Sequence, residues 1–260
     1  MKTVFKVLSS ILVGICLICI GISIGGIDQL HSVSFINNLD LRIQAQPIAS
    51  IEQDMGYIRD LKIDITKANL SIHEDASLTS VKVQATHLYE GFQIKQNNDE
   101  LIIEQPCYWF KRYDSHTAQI DIYIPKGYTF DNIKLEAGTG KSSIYNLKAN
   151  DIKIDTGMGD VYFENIKCQK LDLDTGMART DVRYVECQEK LKVDVGMGSV
   201  TMDVQGQESD FDYKINVGLG SVKIGNQKFS GIADHQSYQQ GKSLIDVSCG
   251  MGSVDIRMEE

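Results

Sequence analysis

Proline occurs three times in the chain and tryptophan once, and no acidic residue stands among the first 27 positions. So little proline excludes a collagen-like or proline-rich linker protein. Positive charge is also scarce. Twenty-six basic residues against 35 acids leave −9, and because Lys2 and Lys6 fall in the acid-free leader, the remainder carries 24 − 35, or −11. That excess argues against a nucleic-acid-binding protein. Enzyme signatures are missing too: there is no G-x-S-x-G, no G-x-x-x-x-G-K-[ST] and no H-E-x-x-H, and His31, His73, His87, His116 and His235 share no ligand spacing. The chain is therefore expected to be non-enzymatic, with no catalytic residue, no cofactor and no small-molecule substrate.

What is present is the balance of a folded protein, 42% apolar and 23% charged. The 22 glycines and the many β-branched residues favour strands and tight turns. From Val7 to Ile27 no residue is charged, and at about 1.5 Å per residue that run matches a hydrocarbon core of ~30 Å. Lys2 and Lys6 before it favour a cytoplasmic N-terminus and an extracytoplasmic remainder. A retained single-pass anchor is preferred to a cleaved signal peptide, although Ser23-Ile24-Gly25 offers a small-x-small step. Cys16 and Cys19 follow isoleucines where a lipoprotein signal wants a small residue. The expected organisation is an anchor (1–27), a linker (28–50) and a β-repeat domain (51–260), the last divided into a strand-rich lead-in (51–132) and Gly-x-Gly rungs (133–260).

The rungs are the strongest signal. IKLEAGTG, IKIDTGMG, LDLDTGMA, LKVDVGMG, YKINVGLG and IDVSCGMG share a turn glycine, at Gly138, Gly157, Gly176, Gly196, Gly218 and Gly250, with spacings of 19, 19, 20, 22 and 32. The longest spacing must hold a loop, placed at residues 229–241. Apolar residues five and three places before each glycine alternate with polar ones, which is a half-buried strand. A second strand is expected from Val161, Val182, Val200, Val222 or Val254. One such unit cannot bury its apolar face alone, whereas stacking units at about 4.8 Å satisfies both side chains and backbone. The expected fold is all-β, a repetitive β-solenoid of rungs near twenty residues long. Ala178, in place of the second glycine and followed by two extra residues before Val182, is expected to mark a bulge. Met158, Met177, Met197, Leu219 and Met251 are expected to stack inward at the bend; a methionine column can hold a soft metal, but adaptable packing is the preferred reading.

Three further clusters are candidates. Glu136, Asp155, Asp174 and Asp194 stand two places before successive glycines, and stacked like charges need relief. Lysines beside them make a solvated ladder, with Ca²⁺ held by the carboxylates as the weaker alternative. Cys168 and Cys187 each lie 11 residues after a turn glycine, so they stack within reach of a disulfide. Last, Tyr108, Trp109, Phe110, Arg112 and Tyr113 interrupt two strands; aromatics beside basic groups suit a glycan, protein or headgroup partner, while covering the end of the core is the alternative.

The hydrophobic leader, the lead-in ending in IYIPKGYTFDNIKLEAGTG and the DTGMGDV and DVGMGSV units together resemble the bacterial putative-adhesin family of β-strand repeat proteins, a domain of unknown function. The resemblance spans about residues 50–260. It implies a bacterial envelope protein with a repetitive β fold and no shared catalytic residues. The expected role is an adhesin-like or cell-envelope interaction module that meets a cell-wall glycan or an envelope protein. A regulatory accessory that contacts another membrane protein is the alternative, and a polysaccharide-cleaving β-helix comes third.

Overall fold

The structure, a computed structural model, describes residues 50–88, 91–105, 117–237 and 243–259. The expected anchor and linker up to residue 49, and the aromatic cluster at 108–113, lie outside them. Among the described residues no helix is long and apolar enough to cross a membrane. The strands are β1 (Ile51–Asp54), β2 (Asp60–Asp75), β3 (Lys82–Thr86), β4 (Gln93–Asn97), β5 (Glu100–Gln105), β6 (Ala118–Pro125), β7 (Phe130–Thr175), β8 (Arg179–Val195) and β9 (Ser199–Gln205). A short 3₁₀ turn at Glu208–Asp210 leads to β10 (Phe211–Val217), β11 (Ser221–Ile224), β12 (Gln227–Ser230), β13 (Ala233–Ser237), β14 (Ser243–Cys249) and β15 (Ser253–Glu259).

Period-two alternation produces these strands. In β10, Phe211, Tyr213, Ile215 and Val217 are buried while Asp212, Lys214 and Asn216 reach the surface. Successive rungs then lie parallel and in register. Leu61 and Ile63 oppose Ile133 and Leu135, and Leu171 and Leu173 oppose Leu191 and Val193. Like sits on like, so one continuous apolar column runs through the stack. Each fully buried aliphatic side chain contributes roughly 1.5–3 kcal/mol of transfer free energy, an upper bound because unfolded chains are partly collapsed.

Stack order departs from chain order at both ends. β14 lies between β8 and β10, parallel to each, and β15 lies between β9 and β11. The last rung in sequence is thus an interior rung, and the 211–224 rung is displaced outward. The chain leaves that outer rung through β12, antiparallel to β11, and β13, antiparallel to β10. These strands cap the stack and satisfy its exposed edge. The long spacing before Gly250 is therefore two cap strands rather than a single loop. At the opposite end β5 and β6 pair with the two halves of β2. β4 and β3 cover them as antiparallel caps, and β1 adds to β3.

Two kinds of bend close each rung. At the Gly-x-Gly bend, backbones of adjacent rungs come so near that a Cβ on Gly159, whose φ is +134°, would overlap the Gly140 carbonyl oxygen. The second bend falls at Asn146, Asn165 and Tyr184, all with positive φ. Asparagine tolerates that conformation because its short amide bonds locally, and Asn165 Nδ2 donates to Asn146 Oδ1 at 2.6 Å. The rung that carries Ala178 holds the expected bulge, but not at Ala178 itself. Thr180 opposes Val161 and Val182 opposes Phe163 without any insertion. Thr180 is buried because its hydroxyl lies 3.4 Å from Thr175 Oγ1, which in turn neighbours Thr156. The extra residues of β8 come later, between Val182 and Val185 against Met202 and Val204 of β9, and between Cys187 and Lys190 against Cys168 and Lys170 of β7.

Candidate functional site

The exposed side chains form rows, one residue per rung. On the first-strand face Asp174 opposes Asp194, and the expected carboxylate column is relieved by lysines as the alternation requires. Lys192 Nζ lies 3.0 Å from Asp172 and 2.7 Å from Asp194, and Lys134 is 2.5 Å from Glu136. The flanking carboxylates push the Lys192 ammonium above its ordinary range. Asp174 has no such lysine of its own: partial burial, then Asp155 and Asp194, raise its carboxyl. Glu136, Asp155, Asp174 and Asp194 do not converge, and among the described residues no group of three or more His, Cys, Asp or Glu side chains surrounds a common point. Beside this row an open cleft of about 560 Å³ is lined by Asp174, Asp194, Asn216, Ile232 and Asp234.

The middle residues of the bends do not stack inward. Met158, Met177, Met197, Leu219 and Met251 are 48%, 53%, 55%, 75% and 61% exposed. The physical reason is the close approach of the flanking glycines, which fills the inner side of the bend with backbone. Each bend amide bonds the neighbouring rung: Met177 N to Gly157 O, Met197 N to Gly176 O, Met251 N to Gly196 O and Leu219 N to Gly250 O, all 2.8 Å. The side chains consequently project as one ridge in the spatial order Met158, Met177, Met197, Met251, Leu219.

Cys168 and Cys187 are direct partners in the parallel ladder, as their spacing predicts. Both are buried thiols. Cys187 Sγ donates towards Gln169 O at 3.3 Å and Lys190 O at 3.1 Å, and its hydrogen bond with Cys168, followed by burial, drives the Cys168 thiol far above the usual range. Cys249 is buried before its turn glycine, the core position expected for it.

Sequence reasoning missed two clusters. On the second-strand face His73 lies 6.0 Å from Tyr123 and 5.5 Å from Tyr145, and Tyr145 is 5.8 Å from Tyr162. The rings of His73 and Tyr145 are nearly parallel, at 14°, and stack on each other. Tyr162 donates to Glu164 at 2.7 Å, which raises its phenol to about 12. Further along, Asp203 is buried under two arginines: Arg257 Nε is 2.7 Å from Oδ1 and Arg183 Nε 3.6 Å from Oδ2. The Arg257 contact lies off the hydrogen-bonding direction, leaving Oδ1 ion-paired without an aligned donor. No sequence spacing marks Asp203, because its arginines come from the rungs on either side.

No curated protein matches the chain. Among solved structures it is similar to a putative cell adhesion protein from Clostridium sporogenes, with 13% identity, 82% of this chain and 100% of that chain covered, and a TM-score of 0.45. A putative adhesin from Bacteroides fragilis matches with 13% identity, 82% and 99% coverage and a TM-score of 0.40. A putative lipid binding protein from Parabacteroides distasonis matches with 10% identity, 84% and 100% coverage and a TM-score of 0.39. The family model described as Toastrack DUF4097 matches residues 58–184, from the first rung strand to the second bend of β8, and the chain therefore carries a Toastrack domain, a domain of unknown function.

Proposed function

We propose that this protein is a non-enzymatic, adhesin-like interaction module of the bacterial envelope, held at the membrane by the uncharged run from Val7 to Ile27 and presenting its β stack outside the cell. The observation that supports the reading is the repetition itself. Exposed side chains recur once per rung in rows, on a frame of parallel rungs that stay in register apart from the slips within β8. Such a surface suits an extended partner, while a reaction centre would break the repeat at one place. The aromatic cluster around Trp109 is the proposed contact for a cell-wall glycan. Co-sedimentation of the full chain with cell-wall material, alongside Trp109→Ala, tests this. Saturable binding that the variant loses is the expected result; absence of binding would overturn the glycan assignment and direct attention to a membrane-protein partner.

Outside the cell, Cys168 and Cys187 are proposed to bond by thiol–disulfide exchange, both thiols losing their protons as a disulfide oxidant is reduced. Mass analysis after denaturing alkylation without reductant should find neither cysteine labelled. Two labels on this pair would end the idea.

A further inference from the structure

The methionine ridge has a property that chain order conceals. In sequence the bend residues read Met158, Met177, Met197, Leu219, Met251, with leucine interrupting the sulfurs. In space the last rung sits inside the stack, as the bonds from Met251 N to Gly196 O and from Leu219 N to Gly250 O require. Leu219 is thereby moved to the end, and the four thioethers occupy four consecutive rungs.

Neighbouring rungs repeat at about 4.8 Å. A soft cation bonded to two sulfurs at ~2.3 Å each spans about 4.6 Å, so the rung repeat nearly equals the separation of two sulfurs on one ion. These thioethers are about half exposed and carry long flexible arms that can close the small difference. They need not be deprotonated to bind, unlike thiols or imidazolium. Asp155, Asp174 and Asp194 each stand three residues before a ridge methionine, giving the bend a negative flank that attracts a cation without itself forming a hard-ion cage. Simple packing does not account for the row, since packing would have buried it.

We propose that Met158, Met177, Met197 and Met251 form a thioether ladder that binds a soft monovalent d¹⁰ cation, Cu(I) in chemical class, between sulfurs of adjacent rungs. Hard divalent ions, which prefer oxygen ligands, are not its ligand.

The test is methyl NMR of the full chain labelled at methionine Cε, titrated with Ag(I) as a redox-inert probe. Met55 and Met202, both buried, are internal references, and a Cys249→Val variant separates thiol binding from the ridge. Saturable shifts of the four ridge methyls, with the references unmoved and no response to Ca²⁺, are expected. A Met177→Leu/Met197→Leu variant, conservative in volume at exposed positions, should weaken Ag(I) binding at least tenfold at the remaining two methyls while keeping the parent's circular dichroism. Ridge methyls that stay unmoved, or unchanged affinity in the double variant, would overturn the proposal and leave the ridge an apolar contact surface.

Discussion

The two ends of the stack solve one problem in opposite chain order. At the N-terminal end the inner rung β2 is laid first, the caps β3 and β4 follow, and the outer rung β5–β6 is slotted between them. At the C-terminal end the outer rung β10–β11 comes first, then the caps β12 and β13, and the inner rung β14–β15 last. Both ends finish with an antiparallel cap over a parallel rung, so no rung edge is left as a template for another chain. The difference lies in dependence. The N-terminal end holds its inner rung before the rest of the stack is made, whereas the C-terminal outer rung, with its caps, rests on an inner rung that the chain supplies only at the end.

Removing residues 243–260 tests that asymmetry most severely. It takes away the buried side chains of Ile245, Val247, Cys249, Val254 and Ile256 and opens a gap between β8–β9 and β10–β11. At roughly 1.5–3 kcal/mol per side chain the loss matches a whole domain's stability of about 5–15 kcal/mol, and thermal unfolding by circular dichroism should show no cooperative transition. By contrast Ile51→Ala, at the one half-buried residue of the outermost strand β1, should cost about 1 kcal/mol.

Between the ends the bends set stability. Gly159→Ala combines a forbidden φ with overlap of the Gly140 backbone and should cost about 3–5 kcal/mol by denaturant titration. Gly127, at φ +71° with nothing within 4 Å, should lose only about 1 kcal/mol as alanine. Tyr184→Asn should act the other way. It puts a tolerant residue at a positive φ, below Asn165 in the ladder, and should stabilise by about 0.5–1 kcal/mol.

The smallest effect belongs to the carboxylate row. Asp174 binds its proton more tightly folded than unfolded, through partial burial and the charges of Asp155 and Asp194. Its ionisation therefore removes stability as pH rises from the ordinary aspartate range through the higher folded value. Asp174→Asn should be more stable than the parent at pH 7 by about 0.3–0.5 kcal/mol, small because the group is exposed and solvent screens it. Thermal scans should show the difference vanish below about pH 4.

Much of this site was legible from spacing. The pairing of Cys168 with Cys187 and the stacking of Asp174 on Asp194 follow from equal offsets to the turn glycines, since a rung length is a local property. The direction of the bend methionines was not legible. Their apolar character argued for burial, but the close approach of glycine backbones from two rungs closes the inner side of the bend. Asp203 was invisible for a similar reason, its burial being made by Arg183 and Arg257 from separate rungs.

The sequence by itself determined the unit: alternation makes the strands, the glycines permit the bends, and matching apolar columns make stacking the way to bury them. Only the tertiary structure decided the order of the units. Every rung offers its neighbour nearly the same face, Ile245 and Val247 fitting against Leu191 and Val193 as well as Tyr213 and Ile215 do against them. Local pattern cannot rank such equivalent contacts. The choice falls to pairings such as β14 with β8 and β15 with β9, which span long stretches of chain and form only when the stack is closed.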